Sequence, residues 1–126
     1  MPDQLAYWVA FNHIKGFGSV RFQLLLNYFS SLEAAWKATP IELAAAGVHE
    51  RQIKAILDFR EKNTPEHLLN KIQRSGISVV TRMDDNYPAL LKLIATPPPV
   101  LYFKGTLPEQ DKKCIAIVGT RRMTAY

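Results

Sequence analysis

Apolar residues recur at helical spacing in the first half of the chain, whereas the second half carries short continuous apolar runs. Over residues 4–62 they recur every three or four residues, which is typical of amphipathic helices that share one core. The side chains predicted to form that core are Trp8, Leu24, Leu25, Phe29, Trp36, Ile53 and Leu57. After residue 76 the runs are short and bounded by turn residues, which favours strands. The pattern predicts a compact helical unit followed by the first strands of an α/β unit.

Capping signals divide the first part into separate helices. Boxes of the Ser/Thr-x-x-Glu type lie at residues 30–33 and 39–42, each at the predicted start of a helix. Gly47 is predicted to end the second of these helices in a left-handed conformation. Two further helices are predicted over residues 49–62 and 65–74.

The Asn-Thr-Pro stretch at residues 63–65 combines a helix stop with an N-cap and a proline. We predict a domain boundary there, with an all-helical domain over residues 1–62 and a second domain over residues 63–126. The second part opens with a helix and continues with apolar runs at 77–80 and 100–105, which predicts two strands and an α/β fold class.

A third strand is predicted at residues 114–118. Five consecutive apolar residues indicate burial on both faces, as in a parallel sheet. The run ends at Gly119, and ligands of open α/β sheets bind at the carboxyl ends of strands. Cys114 is the single cysteine. It cannot form an internal disulfide or a zinc cluster, so we expect it to be a buried core residue.

The turn after this run carries groups suited to phosphate. Gly119 exposes backbone N–H groups, Thr120 offers a hydroxyl, and Arg121 and Arg122 offer guanidinium groups. Each of these groups binds phosphate oxygens, especially where a helix N-terminus follows. The run does not match the dinucleotide-binding fingerprint, because Arg121 and Thr124 stand where its second and third glycines belong. The alternative is an ordinary strand-to-helix turn with solvated arginines.

A second candidate phosphate site lies at residues 14–18, Ile-Lys-Gly-Phe-Gly, between two predicted helices. Gly16 and Gly18 permit a left-handed backbone and leave N–H groups open to a phosphate, and Arg21 adds a cation. The arrangement is similar to the hairpin of helix-hairpin-helix DNA-binding motifs. A tight helix–helix turn without a ligand is the alternative. The corresponding stretch at residues 46–48 lacks the second glycine, which favours packing or protein contact there.

The 126 residues include 16 Lys and Arg against 11 Asp and Glu, a formal net charge of +5. This excess favours polyanionic partners. No apolar run approaches ~18 residues and the start of the chain lacks a basic segment, so we expect no membrane span, no secretory signal and a cytoplasmic location. Asp84 and Asp85 have no further carboxylate or histidine grouped nearby. This favours turn capping over metal or acid–base chemistry.

Several short motifs follow one another in order between residue 87 and the last residue. They are Tyr87-Pro88, Leu91, Ile94, Pro98-Pro99-Val100-Leu101-Tyr102, Lys104-Gly105, Ile115-Ala116-Ile117-Val118-Gly119-Thr120-Arg121 and Thr124-Ala125-Tyr126. In this order they resemble the DNA-processing protein A (DprA/Smf) family. A preceding small helical domain of SAM or helix-hairpin-helix type also fits that family.

The resemblance implies a protein of natural transformation that binds single-stranded DNA, protects incoming strands and loads the recombinase RecA. It implies an extended Rossmann fold for the second domain, with no catalysis and no cofactor. The family's DNA phosphate pocket maps onto Gly119, Thr120 and Arg121. A later glycine-rich segment and most of a homodimer interface are expected beyond Tyr126, so the chain is expected to be an N-terminal piece that carries half of the site.

Two alternatives come from other classes of protein. The extended Rossmann architecture also resembles phosphoribohydrolase enzymes that process nucleotides, although these would need acidic catalytic residues in a later segment. Residues 1–62 also fit a protein-interaction module with no role in DNA binding. A nucleic-acid titration of that segment distinguishes DNA binding from protein interaction. Phosphate binding must weaken with salt, whereas docking on an apolar surface need not.

Overall fold

The computed structural model describes residues 4–108, 113–122 and 124–125. Within these residues the chain forms seven helices and two strands. In chain order they are α1 (Gln4–His13), α2 (Ser19–Tyr28), α3 (Leu32–Trp36), α4 (Pro40–Ala45), α5 (Glu50–Lys62), α6 (Pro65–Arg74), β1 (Ser78–Thr81), α7 (Ala89–Lys92) and β2 (Val100–Phe103). The predicted order of helices followed by strands is therefore found, with a small sheet beside a mostly helical body.

Helix α4 begins and ends as its capping residues predict. The Thr39 hydroxyl accepts a hydrogen bond from the backbone N–H of Glu42, and the Glu42 carboxylate accepts one from the N–H of Thr39. This reciprocal pair satisfies two backbone donors at the start of the helix. Gly47 follows the helix with a φ of +99°, the left-handed conformation predicted for it.

The capping box predicted at residues 30–33 is wrong by one residue. Helix α3 starts after Ser31, whose hydroxyl accepts a hydrogen bond from the N–H of Ala34. Glu33 then lies too early in the helix to close the box. Its carboxylate instead forms an ion pair with Lys37 one turn later, at 2.8 Å. Within this pair, Lys37 Nζ donates a hydrogen bond to the carboxylate, which lowers the pKa of Glu33.

The core surrounds α1, in which every residue from position 6 to 11 is buried. Its centre is aromatic: the Phe11 ring contacts the rings of Phe17, Phe22 and Trp36 at centroid distances of 5.4–6.3 Å. Four of the predicted core side chains are confirmed as buried: Trp8, Leu25, Phe29 and Trp36. The other three are only partly buried: Leu24, Ile53 and Leu57.

The elements of the second part pack directly against α1. Leu69 of α6 is buried with Ala6 and Val9 of α1. Strands β1 and β2 pair in antiparallel register, and Val100 of β2 belongs to the main core. The division of the chain at residue 62 stays a prediction, as does the extended Rossmann fold.

The third predicted strand is wrong for the residues that the structure describes. Residues 113–122 form no helix or strand, and Ile115, Ile117 and Val118 are each more than nine-tenths exposed. A strand buried on both faces needs neighbouring strands and covering helices. The one sheet in the described residues is the antiparallel β1–β2 pair, and no described strand pairs with this run. Cys114, predicted to be buried, is exposed for the same reason.

Among the described residues, no helix combines the length and the apolar character that crossing a membrane requires.

Candidate nucleic-acid interface

The predicted phosphate turn at residues 119–122 lies on the surface. All four residues are exposed, and the Thr120 hydroxyl donates a hydrogen bond to the carbonyl oxygen of Arg122 at 2.7 Å. Within the described part of the chain, neither Arg121 nor Arg122 donates a hydrogen bond or forms an ion pair through its guanidinium group. The predicted helix after Gly119 does not form in residues 120–122 or 124–125. The turn therefore offers two guanidinium groups, and no helix begins within residues 120–122 or 124–125.

The predicted hairpin at residues 14–18 is a closed turn fixed by the core. Ile14 and Phe17 are both buried, and the N–H of Phe17 donates to the carbonyl oxygen of Ile14 at 3.1 Å. Gly16 has a φ of +89°, which an L-residue rarely adopts. Gly18 is extended instead, with φ −105° and ψ −167°, so the left-handed conformation considered for both glycines is found at Gly16 alone.

The outer side of this hairpin is open. A Cβ added at Gly16 or Gly18 would meet no atom within 4 Å. Gly18 is the N-cap of α2 and offers no side-chain cap to the first turn of that helix. Because the first N–H groups of a helix lack intrahelical acceptors, this end of α2 can receive an anion.

The structure places the third predicted residue, Arg21, against the hairpin. Its Nη1 donates to the carbonyl oxygen of Gly16 at 2.8 Å. This bond holds the turn closed and uses one of the five donors of the guanidinium group. The remaining donors stay beside the start of α2. Arg21 therefore has a structural role that the sequence did not show, together with the predicted cationic one.

A second arginine, Arg82, reaches the same end of α2 from the loop after β1. Its two terminal nitrogens donate to Ser19 Oγ at 3.0 Å and to Gln23 Oε1 at 2.9 Å. The sequence did not point to Arg82, because its partners lie 63 and 59 residues earlier in the chain. No local pattern links positions so far apart. The hairpin, Arg21 and Arg82 together make this end of α2 positive.

Beside Arg82, an open groove of about 630 Å³ separates α2 from the chain between residues 82 and 97. Its second cation, Lys92, donates to the carbonyl oxygen of Asp84 and lies 5.9 Å from the centre of the Tyr87 ring. The exposed apolar residues Val20 and Ile94 also line the groove. Both of its cations are thus held by the protein itself.

The turn after β1 shows what Asp84 does. Its carboxylate accepts hydrogen bonds from the N–H and the hydroxyl of Thr81, at 2.8 and 3.2 Å. This is the turn-capping role predicted for it. In the described residues, no group of three or more His, Cys, Asp or Glu side chains is placed to hold a metal ion.

The two predicted phosphate sites differ in their surroundings. Among the described residues, no hydrogen bond joins the turn at 119–122 to the hairpin or to Arg82. The hairpin is packed on the helical core through buried Ile14 and Phe17, whereas all four residues of the turn are exposed.

Comparison with known proteins identifies the relatives of this chain. A family model described as DNA recombination-mediator protein A matches residues 78–126, which include the exposed turn and β1 to β2. Protein Smf of Synechocystis sp. is 38% identical over 129 residues, covering 98% of this chain and 32% of that protein. DNA processing protein DprA of Bacillus subtilis is 38% identical over 104 residues, covering 72% of this chain and 34% of that protein. No solved structure matches the chain.

By sequence, the chain is thus similar to DNA-processing proteins. The matches confirm the resemblance carried by its motifs: the chain belongs to the DprA/Smf family. It spans about a third of the length of these curated relatives.

Proposed function

We propose that this protein binds single-stranded DNA, protects incoming strands and loads the recombinase RecA during natural transformation. The names of its relatives support a role in DNA processing and recombination. The observation that carries the binding part of the proposal is the exposed turn at residues 119–122. It lies inside the region matched by the family model, and its two guanidinium groups have no acceptor among the described residues.

Phosphate contacts of this kind position a strand without reading its sequence. We therefore expect binding that is largely independent of base sequence and that weakens steeply with salt, because each neutralised phosphate releases counterions. Arg121 is the side chain proposed to contribute most. It follows Gly119 and Thr120 directly, it stays charged at neutral pH, and its planar fork can hold a phosphate through two hydrogen bonds.

The hairpin is proposed as a secondary phosphate contact. Its support is the open end of α2, together with Arg21 and Arg82 beside it. A ligand-free helix–helix turn remains the alternative, since Arg21 already stabilises the turn by bonding Gly16.

We propose further that the protein acts by binding rather than by catalysis and without a cofactor, as a homodimer whose interface lies mostly beyond Tyr126. The DNA-processing names of the relatives favour this proposal over the phosphoribohydrolase alternative. Loading of RecA is part of the same proposal and needs its own test, for example RecA filament formation on strands coated with this protein.

The central experiment replaces Arg121 with alanine in the whole protein and measures affinity for single-stranded DNA over a salt series. A hydrogen bond to a charged group contributes about 1.5–3 kcal/mol, so we expect the affinity to fall about ten- to hundredfold. The dependence of affinity on salt should become shallower by about one phosphate contact. Arg122→Ala is expected to have a smaller effect, because adjacent side chains project in different directions.

The matched control is Arg51→Ala, which removes the same charge from an exposed position on α5. A loss of affinity confined to Arg121→Ala supports a local contact. Equal losses in both variants would show only a general effect of net charge. If folded Arg121→Ala keeps the wild-type affinity and salt slope, the turn is not in the DNA site.

A further inference from the structure

A shallow, open surface pocket of about 380 Å³ lies where the end of α1 meets α6 and β2. Its lining residues are Asn12, His13, Ile72, Ile77 and Tyr102. Two are aromatic rings, two are aliphatic and one is an amide. An open, mainly apolar surface with a few polar groups suits a flat ring that lies against it on one face.

The polar groups of this pocket are fixed by hydrogen bonds. Asn12 Nδ2 donates to the Tyr102 hydroxyl at 3.0 Å, which leaves the phenol free to donate its own hydrogen. His13 Nδ1 lies 2.8 Å from the carbonyl oxygen of Val9. A carbonyl only accepts, so Nδ1 carries the hydrogen and Nε2 is the acceptor of the neutral ring. The Tyr102 hydroxyl thus offers a donor and His13 Nε2 an acceptor, and the Asn12 amide adds its second N–H and its oxygen.

The aromatic rings are accessible. Tyr102 is 40% exposed, and His13 is also exposed. Their ring centres are 6.5 Å apart and the planes are nearly perpendicular, at 83°. The two rings therefore meet edge to face and are not stacked on each other. Beside them, Ile72 and Ile77 are partly buried and supply the apolar surface.

The chain segments that supply the lining carry positive charge and no acidic residue. Segments 10–15, 70–79 and 100–106 supply its lining, and they contain four Lys or Arg and no Asp or Glu. The four cations are Lys15, Lys71, Arg74 and Lys104, and all are exposed. In the part of the chain that the structure describes, none of these four side chains forms a hydrogen bond or an ion pair. The groove beside Arg82 differs, because its cations already bond to the protein.

We propose that this pocket binds an unpaired base of single-stranded DNA, stacked against Tyr102. Proteins hold single strands by stacking bases on exposed aromatic rings and placing phosphates near cations, and the segments that line this pocket carry both kinds of side chain. The identity of the strand rests on the proposed function. The site itself is distinct, since it takes a base, whereas the turn at residues 119–122 takes phosphate. Stacking accepts any base, so the pocket tolerates all sequences.

The first test needs no variant. The whole protein is mixed with an oligothymidylate that carries iododeoxyuridine, irradiated, digested and analysed by mass spectrometry. We expect cross-links in the peptides that contain Tyr102 or His13. Cross-links that map only to other peptides would overturn the proposal.

The second test replaces the ring. Tyr102→Ala should weaken binding of the same oligonucleotide about five- to hundredfold, the range measured for loss of one stacked base. Tyr102→Phe keeps the ring and should bind close to wild type. Tyr28→Ala removes another exposed tyrosine, on α2 and outside the pocket, and should leave the affinity unchanged. Circular dichroism checks folding, and the cross-linking result stands even if Tyr102→Ala does not fold.

The failure of this proposal can be told apart from failure of the proposed function. If Arg121→Ala weakens binding while folded Tyr102→Ala does not, the pocket proposal is overturned and DNA binding stands. If the protein binds no single strand, a titration with thymidine monophosphate tests whether the pocket binds a nucleotide. Shifts of the Tyr102 ring signals in nuclear magnetic resonance would then support a nucleotide pocket, and their absence would overturn it.

Discussion

The two glycine turns predicted to bind phosphate are built in opposite ways. Buried Ile14 and Phe17 anchor the hairpin at residues 14–18 in the core, and Arg21 stabilises it through a hydrogen bond to Gly16. The turn at residues 119–122 follows a run of apolar residues that is almost fully exposed. One turn has a fixed shape before any ligand arrives, and the other has donors but no packed support.

The difference shows what each turn needs in order to form. The hairpin depends on α1 and α2, which flank it directly in the sequence, and on the core that those helices share. The later turn depends on sheet neighbours for the run at residues 114–118, and the described residues supply none. A preformed site binds with a smaller loss of conformational freedom. The hairpin is therefore the better ordered of the two surfaces, although the exposed turn has more unpaired charge.

The largest loss of folding stability is expected at Trp36, in the aromatic centre of the core. Trp36 is buried, and its ring meets those of Phe11 and Phe59 at nearly right angles. Trp36→Ala should lower the free energy of unfolding by about 3–5 kcal/mol, because it removes a large side chain and leaves a cavity. Chemical denaturation measures this loss.

The control for Trp36 lies on the next helix. Ile41 of α4 is 82% exposed, so Ile41→Ala should change the free energy of unfolding by less than about 0.5 kcal/mol. A loss below about 1 kcal/mol for Trp36→Ala, comparable to the control, would contradict the placement of Trp36 in the core.

Losses of folding stability of intermediate size are expected for the two glycines of the hairpin, and the loss should be larger at Gly16 than at Gly18. Gly16→Ala should cost about 1–2 kcal/mol of folding free energy, because its φ of +89° strains a residue with a Cβ. Gly18→Ala should cost less, below about 1 kcal/mol, because its backbone is extended and a Cβ would meet no atom within 4 Å, so only the N-cap preference for glycine over alanine is lost. Thermal or chemical denaturation of the two variants measures the difference.

The same pair of variants tests the hairpin as a DNA contact. Gly18→Ala adds a methyl group at the open end of α2 without disturbing the fold. If a phosphate sits there, this folded variant should bind single-stranded DNA more weakly than wild type. Unchanged affinity in a folded Gly18→Ala would support the ligand-free turn.

The sequence predicted the features of the fold that depend on neighbouring residues. Helix α6 occupies Pro65–Arg74, the range predicted from its N-cap, proline and apolar spacing. The capping box of α4 and the left-handed Gly47 were also predicted, because each needs only contacts within one or two turns. The start of α3 was missed by one residue because Ser30 and Ser31 are both good N-caps and spacing alone does not choose between them.

The features that the sequence could not predict join distant positions. Arg82 bonds Ser19 and Gln23 across about half the chain, and Asn12 bonds Tyr102 from 90 residues away. Periodicity and short motifs carry no information on such pairs. The apolar run at residues 114–118 shows the same limit, since its composition favours a buried strand but burial requires partners elsewhere.

The smallest change in the free energy of unfolding is expected in the apolar run at residues 114–118. A comparison of two valines, one in β1 and one in this run, tests that expectation. Val80 lies in β1 and is buried, whereas Val118 lies in the run predicted as a strand and is 92% exposed. Val80→Ala should lower the free energy of unfolding of the 126-residue chain by about 2–3 kcal/mol, through lost burial and a cavity. Val118→Ala should change it by less than about 0.5 kcal/mol, because the methyl groups removed are already in water. Urea denaturation of both variants provides the comparison. Equal losses at the two positions would mean that the run is packed in solution, and that residues 119–122 have the ordered support that the hairpin has.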